Sequence, residues 1–476
     1  MLKEHNYRPA EPLLTKAVEC LEKKWALRPS PYEMESNEYL DRQAATESNA
    51  RSYPRRFPLA MAKAEGMFVE DTDGRIFMDC LSGAGTLALG HNHPTILQAI
   101  RRCIDTKLPL HTLDLTTPVK DAFVSKIMSI LPPQMQGRCK IQFCSPSGSD
   151  GIEAAIKLVK TATGRRGIFT FKGGYHGMSH GALAMTGAKS PKRAIHNLMK
   201  DVTFLPFPYH YRCPFGVGGA KAEEISLHYI ENLLRDTHSG VNLPAAFILE
   251  VVQGEGGSIP ASNEWIRGIR KITARYEIPL IIDEVQAGIG RTGTMFAFEA
   301  SGIIPDVVVS SKAVGGSLPL SIVMYRDYLD QWGPGAHAGT FRGNQMAMAT
   351  GMAVIQYIQD HQLVDNAAQV GNYLMTKLRK LQEKYPVIGE VRGRGLMIGV
   401  EIVDTTAKPN ALGSYPTNGS LASRIQRECF REGLIVETGG RADCVLRLLP
   451  PLTLTAEQAK TIVDIFDLTI ARALKP

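Results

Sequence analysis

The 476-residue sequence contains no uninterrupted apolar run of about 18 residues, the length a helix needs to cross a bilayer. Its first residues, MLKEHNYRPAEP, carry charges but no apolar stretch of the secretory-signal kind. Blocks of lysine and arginine are missing too. The 54 basic and 47 acidic residues are dispersed, and the net charge of +7 builds no patch for gripping nucleic acid or anionic lipid. Eight cysteines lie apart without a C-x-x-C pair, which leaves neither a disulfide framework nor a zinc site. No segment is biased enough to stay unfolded. These absences predict a soluble, cytoplasmic protein with no membrane or nucleic-acid partner and mostly buried thiols.

What is present is a chain long enough for a large core with a smaller appendage, at 44% apolar and 21% charged residues. Between residues 90 and 345, short β-branched runs at 140–144, 167–171, 245–252, 279–283, 306–311 and 320–325 alternate with helical patterns. That alternation predicts an α/β domain, a mostly parallel sheet flanked by helices. After the first run, Ile152, Ala155, Ile156 and Val159 recur at helical spacing behind Asp150-x-x-Glu153, which resembles a capping box. Residues 60–79 read as a hairpin turning at Asp73-Gly74. Thr455-x-x-Gln458 opens a helix whose apolar face is Ala459, Ile462, Val463, Phe466 and Ile470. The expected division is 1–89 as N-terminal segment and part of a small α+β domain, 90–345 as large domain, and 346–476 as the rest of the small one.

The stretch PLIIDEVQAGIGRTG (279–293) carries Gly288, Gly290 and Gly293 at the G-x-G-x-x-G spacing of a dinucleotide turn. That fold needs a long apolar helix next, whereas TMFAFEASG follows, so the spacing is set aside. In open parallel sheets, ligands sit beyond the carboxyl ends of strands, and Asp283 and Lys312 each fall at such an end. Alone, an acid there is a turn former and a lysine a solvated surface residue. Together they suit pyridoxal phosphate, which needs a lysine to form a Schiff base and a carboxylate to keep its ring nitrogen protonated. Lys312, once displaced by substrate, is then the base that moves the proton. Ser147-Gly148-Ser149 precedes a helix N-terminus, a place for a phosphate or simply a polar cap. Tyr175, in GGYHG, offers a ring for stacking on a heteroaromatic cofactor or for the core.

From about residue 50 to the C-terminus, the blocks SGSDGIEAAIKL, YHG, EVVQGEGG, IIDEVQAGIGRTG, PDVVVSSKAVGGSLPL, GTFRGNQ and RLLPPLT resemble the class III, fold-type I pyridoxal-phosphate aminotransferases. RSYPRRFP, CLSGAGTLALGHNHP, YHGMSHGALAMTG and SKAVGGSLPL look most like the diaminobutyrate:2-oxoglutarate branch. The resemblance implies transfer of a terminal amino group between L-2,4-diaminobutyrate and 2-oxoglutarate. It makes Lys312 the Schiff-base lysine, Asp283 the ring-nitrogen partner and Gln286 the neighbour of the ring hydroxyl. Gly148 and Ser149 would cradle the phosphate and Tyr175 would stack on the ring. Thr340 would reach the phosphate of a partner subunit, which implies a homodimer with shared sites. Arg447 matches the arginine that grips an α-carboxylate, and Glu255 the glutamate that pairs with it when a terminal amine is bound.

Val251, Asp150-Gly151 and Gln345 depart from the family's Pro, Glu-Ala and Pro, and none removes a group the chemistry needs. The loop 82–90 is the expected lining for the diamine's far end, because its small residues allow close approach. His91, His93, His176 and His180 sit in blocks with a structural place in the family, so no metal is expected. Three rival readings share parts of this pattern: an ω-aminotransferase for ornithine or 4-aminobutyrate, an aminomutase or racemase of the same fold, and a dinucleotide-binding protein.

Overall fold

The computed structural model describes residues 21–475; Cys20 and the N-terminal charges lie outside the described residues. Its centre is a seven-stranded sheet: β1 (Cys139–Phe143), β2 (Ile168–Phe171), β3 (Val202–Leu205), β4 (Ala246–Leu249), β5 (Leu280–Asp283), β6 (Val307–Ser310) and β7 (Ile322–Arg326). The strands lie in the order β1-β7-β6-β5-β4-β2-β3. Only β7 runs antiparallel to its neighbours; the other ladders are parallel. Every residue of β2, β4, β5 and β6 is buried, as expected where helices cover both faces of a sheet.

Successive side chains on these strands enter opposite cores. Ile281, Val307 and Val309 join Ile152, Ala155 and Val159 of the helix Gly148–Thr163, while Leu280, Ile282 and Val308 join the larger core on the other face. The helical spacing read from the sequence is therefore real, but its start differs. Ser147 is the N-cap, accepting from Ser149 N–H, because the Asp150 carboxylate is taken by the Ser145 N–H at 2.7 Å and by Arg342. Glu153 serves another element, accepting from the N–H groups of Gly181 and Ala182 at the start of the helix His180–Met185.

Other expectations shift at the edges. The 245–252 run stops at Leu249 in the central sheet and resumes as Val252–Gln253, paired with Ile259–Pro260 in a small ribbon. The strand β3 was not expected. The 60–79 hairpin is a meander of three strands, Met61–Glu65, Phe68–Asp71 and Ile76–Asp79, with the turn at Asp73-Gly74 between the last two. Its last strand pairs in parallel with Leu434–Ile435, so both chain ends share one sheet. A second small sheet joins Ile388–Arg394, Met397–Ile402, Val445–Leu448 and Glu437–Gly439, in that order. The closing helix Ala456–Ala473 carries the Thr455/Gln458 capping box, and its five predicted face residues are buried.

Candidate active site

A cavity of about 750 Å³ opens beyond the carboxyl ends of β5 and β6. Asp283 is the last residue of β5, and Lys312 follows β6 by two positions, so the sheet register alone brings an acid and an amine to one crevice. Lys312 holds a left-handed φ of 50°, an uncommon backbone for a side chain of this size. Burial, then the nearby Arg447 charge, pushes its amine down to about 8, against the opposing pull of Asp283, Glu250 and Glu437.

Asp283 is buried, and its Oδ2 lies 2.8 Å from Nδ1 of the fully buried His176. His176, read from sequence as part of a structural block, thus orients the acid on β5. Glu250 was also missed. Its two oxygens accept from Tyr175 N–H and Gly254 N–H, both at 2.8 Å, tying the GGYHG and QGEGG loops together. Burial, with Asp283 adding to it, pushes Glu250 up to about 7.

Gly148 and Ser149 line the same cavity at the helix start. A Cβ on Gly148 would stand 2.9 Å from Val285, so only glycine lets this turn sit against the β5 loop. Ser149 Oγ lies 2.5 Å from Ser179 Oγ, which also donates to Glu153. Tyr175 lines the wall. An anion-ready helix terminus, an orienting His176–Asp283 pair and a lysine amine in one cavity make a donor set that fits pyridoxal phosphate.

The far end is ionic. Arg447 is buried, and its Nη1 donates to Glu255 at 2.6 Å and to Glu437 at 3.2 Å, while Nη2 donates to Gln286 Oε1 at 2.9 Å. The expected Arg447–Glu255 pair is present, but it is a triad. Glu437 stands opposite Arg447 in the ladder between Glu437–Gly439 and Val445–Leu448. An acid in the otherwise uncharged GLIVETGG run, ten positions before the arginine and across one turn, was the signal for it. Gln286 also donates to Ala84 O at 2.9 Å, so it bridges the arginine to the 82–90 loop. Of that loop only Ala84 lines the cavity. Tyr53 and Arg56, from RSYPRRFP, also line the cavity, as do Ser52 and the preceding Ala50.

Thr340 does not line this cavity. It sits in a separate cleft of about 340 Å³ with Leu110, Leu113 and Phe341, its carbonyl 3.0 Å from His111 Nε2. Nor do the GIGRTG glycines hold a ligand, since the loop docks on the C-terminal part of the chain. There the buried Arg291 donates to Pro450 O and Leu396 O. His91 is paired with Asp79, and His93 caps the helix Pro94–Asp105. Cys144, Asp150 and His337 bring three ligand atoms together, but Arg342 occupies the Asp150 oxygen that faces His337. A cation there would have to displace a guanidinium.

The family model for "Aminotransferase class-III" matches residues 49–470. A diaminobutyrate--2-oxoglutarate aminotransferase of Rhizobium meliloti (strain 1021) is 57% identical over 417 residues, 88% of this chain and 89% of that relative. The protein of the same name from Haemophilus influenzae is 50% identical over 437 residues, 92% of this chain and 96% of that one. Among solved structures, an amine transaminase from an uncultivated Pseudomonas species in its PLP-bound form superimposes with a TM-score of 0.80. It is 26% identical, covering 93% of this chain and all of that one.

Proposed function

The chain belongs to the class-III aminotransferases, and we propose that it transfers the terminal amino group between L-2,4-diaminobutyrate and 2-oxoglutarate, giving L-aspartate 4-semialdehyde and L-glutamate. Its cofactor is pyridoxal phosphate, which when bound withdraws electrons from the substrate carbon. The observation that carries this reading is Lys312 and Asp283 on neighbouring strand ends of a cavity whose far end is the Arg447 triad. The substrate pair follows the relatives at 57% and 50% identity.

Lys312 Nζ is the group that moves the proton at the substrate carbon. With its amine near 8, it is an effective base close to neutral pH, where an ordinary lysine would be almost wholly protonated. Asp283, steadied by His176, would hold the ring nitrogen protonated, and Gln286 would sit by the ring hydroxyl. Gly148 and Ser149 would cradle the phosphate at the helix N-terminus, with Tyr175 against the ring. Glu255 is the partner built to leave Arg447: its side chain is 41% exposed against 5% for Glu437. Closed, the pair hides the guanidinium from a diamine; open, it offers two N–H donors to the α-carboxylate of 2-oxoglutarate or glutamate.

We read the working unit as a homodimer in which Thr340 of each chain completes the partner's phosphate site. In support, the Thr340 cleft is ringed by exposed apolar side chains, with Leu110 at 65% and Phe341 at 70%. The seven cysteines among the described residues are all free thiols, which suits the reducing cytoplasm. The division into residues 1–89, 90–345 and 346–476 remains our reading of the domains. The visible spectrum of the purified protein, recorded before and after each amine, tests the function. Diaminobutyrate should bleach the cofactor band and 2-oxoglutarate restore it. A band that responds only to ornithine or 4-aminobutyrate would assign the chain to a sibling ω-aminotransferase, and its absence from Lys312→Ala checks the lysine.

A further inference from the structure

Both substrates carry a carboxylate at the end away from the reacting centre: the α-carboxylate of diaminobutyrate and the γ-carboxylate of 2-oxoglutarate. Among the described residues, three cationic side chains of lysine and arginine line the cavity, namely Lys312, Arg447 and Arg56. Lys312 works at the reacting carbon, and Arg447 serves the α-carboxylate of the oxo acid. Arg56 is left. Its guanidinium is 31% exposed, donates to Thr438 O at 2.6 Å, and stands 3.8 Å from Glu437 and 3.6 Å from Asp443. These long ion-pair distances leave it free to take a carboxylate. Glu437 lies between Arg56 and Arg447, and it is a second acid where one suffices to neutralise Arg447. The end of the cavity therefore presents a cation beside a surplus carboxylate, complementary to an α-ammonium and an α-carboxylate on one carbon.

Resting on the substrate reading above, we propose that Arg56 and Glu437 form the subsite for the far end of the substrate. Arg56 binds the carboxylate common to both substrates, and Glu437 binds the α-ammonium that only diaminobutyrate carries. Two donors isolate these contacts: 1,3-diaminopropane is diaminobutyrate without the carboxylate, and 4-aminobutyrate is diaminobutyrate without the α-amine.

The test is the single-turnover rate of the cofactor band with each donor, and with 2-oxoglutarate in the reverse half-reaction. In Arg56→Gln, kcat/KM should fall roughly ten- to a hundredfold for diaminobutyrate, 4-aminobutyrate and 2-oxoglutarate, the range of one charge-assisted hydrogen bond, and change little for 1,3-diaminopropane. In Glu437→Gln, diaminobutyrate should lose roughly tenfold or more relative to 4-aminobutyrate. An equal loss across all donors would show that these residues only support the fold and would overturn the subsite. Wild-type protein is measured first: if it answers to ornithine instead, the substrate reading fails. Arg56 is then judged by ornithine against 1,4-diaminobutane, which differ by the same carboxylate.

Discussion

Lys312 is a strong base weakened by its surroundings, and the direction of that shift has measurable consequences. Its folded value of about 8 lies below the ordinary 10.5, so between those values the unfolded chain holds more proton than the folded one. The cost of burying the ammonium is thus present in full below about pH 8 and fades as the pH rises toward 10.5. In cofactor-free protein, Lys312→Met should raise stability at pH 7 by on the order of 1–3 kcal/mol and far less at pH 10.5, measured by denaturant titration. Acetylation of Lys312 in the same protein, followed by mass spectrometry, should show a midpoint near pH 8. His176 gives a second test at this scale. Removing the side chain that holds Asp283 Oδ2, in His176→Leu, should weaken cofactor binding roughly ten- to a hundredfold in an equilibrium titration. Lys312 and Asp283 were legible because strand ends place them without help from distant chain. His176 and Glu250 were not, because their work is to hold other residues and depends on loops meeting across the sheet.

At the scale of the element, the helix Gly148–Thr163 shows how far periodicity reaches. Its buried stripe followed from spacing alone, but its cap did not, since Arg342, almost two hundred positions away, draws Asp150 elsewhere. The same helix explains a departure from the family pattern. A Cβ on Gly151 would lie 2.6 Å from Ser321 Oγ and 2.9 Å from Val309 Cγ1, where the helix rests on the sheet. Gly151→Ala would gain about 1 kcal/mol of helix propensity but overpack the contact by about 1–3 kcal/mol. A net loss of stability is expected, visible as a lower Tm. Among the described residues Ser321 Oγ has no hydrogen-bond partner, so Ser321→Ala should be tolerated and, by removing the shorter of the two contacts, should restore part of the Tm lost in Gly151→Ala. Strand β3 escaped the sequence reading because VTFL is short and runs into Pro206, and its place was decided only by pairing with β2.

For the whole molecule, the homodimer reading places Leu110, Leu113, Leu115 and Phe341 at the contact between copies. Phe341→Asp should yield monomers in size-exclusion chromatography at micromolar concentration, together with weakened cofactor retention; a dimer with normal retention would remove Thr340 from the shared site. The fold class was readable because alternating strand and helix patterns leave few architectures. The small sheets were not, because their partners come from opposite ends of the chain. Met78 pairs with Leu434, roughly 350 residues later. At synthesis speeds of about 5–20 residues per second, the strand Ile76–Asp79 leaves the ribosome roughly 20–70 s before its partner exists. For that interval a newborn chain exposes the unpaired edge of a strand whose four residues are all buried in the finished fold, the kind of surface that recruits other chains. The enzyme's yield in a cell is therefore set partly by translation rate and chaperone supply, and slowing the final third of the message would lengthen the period of risk.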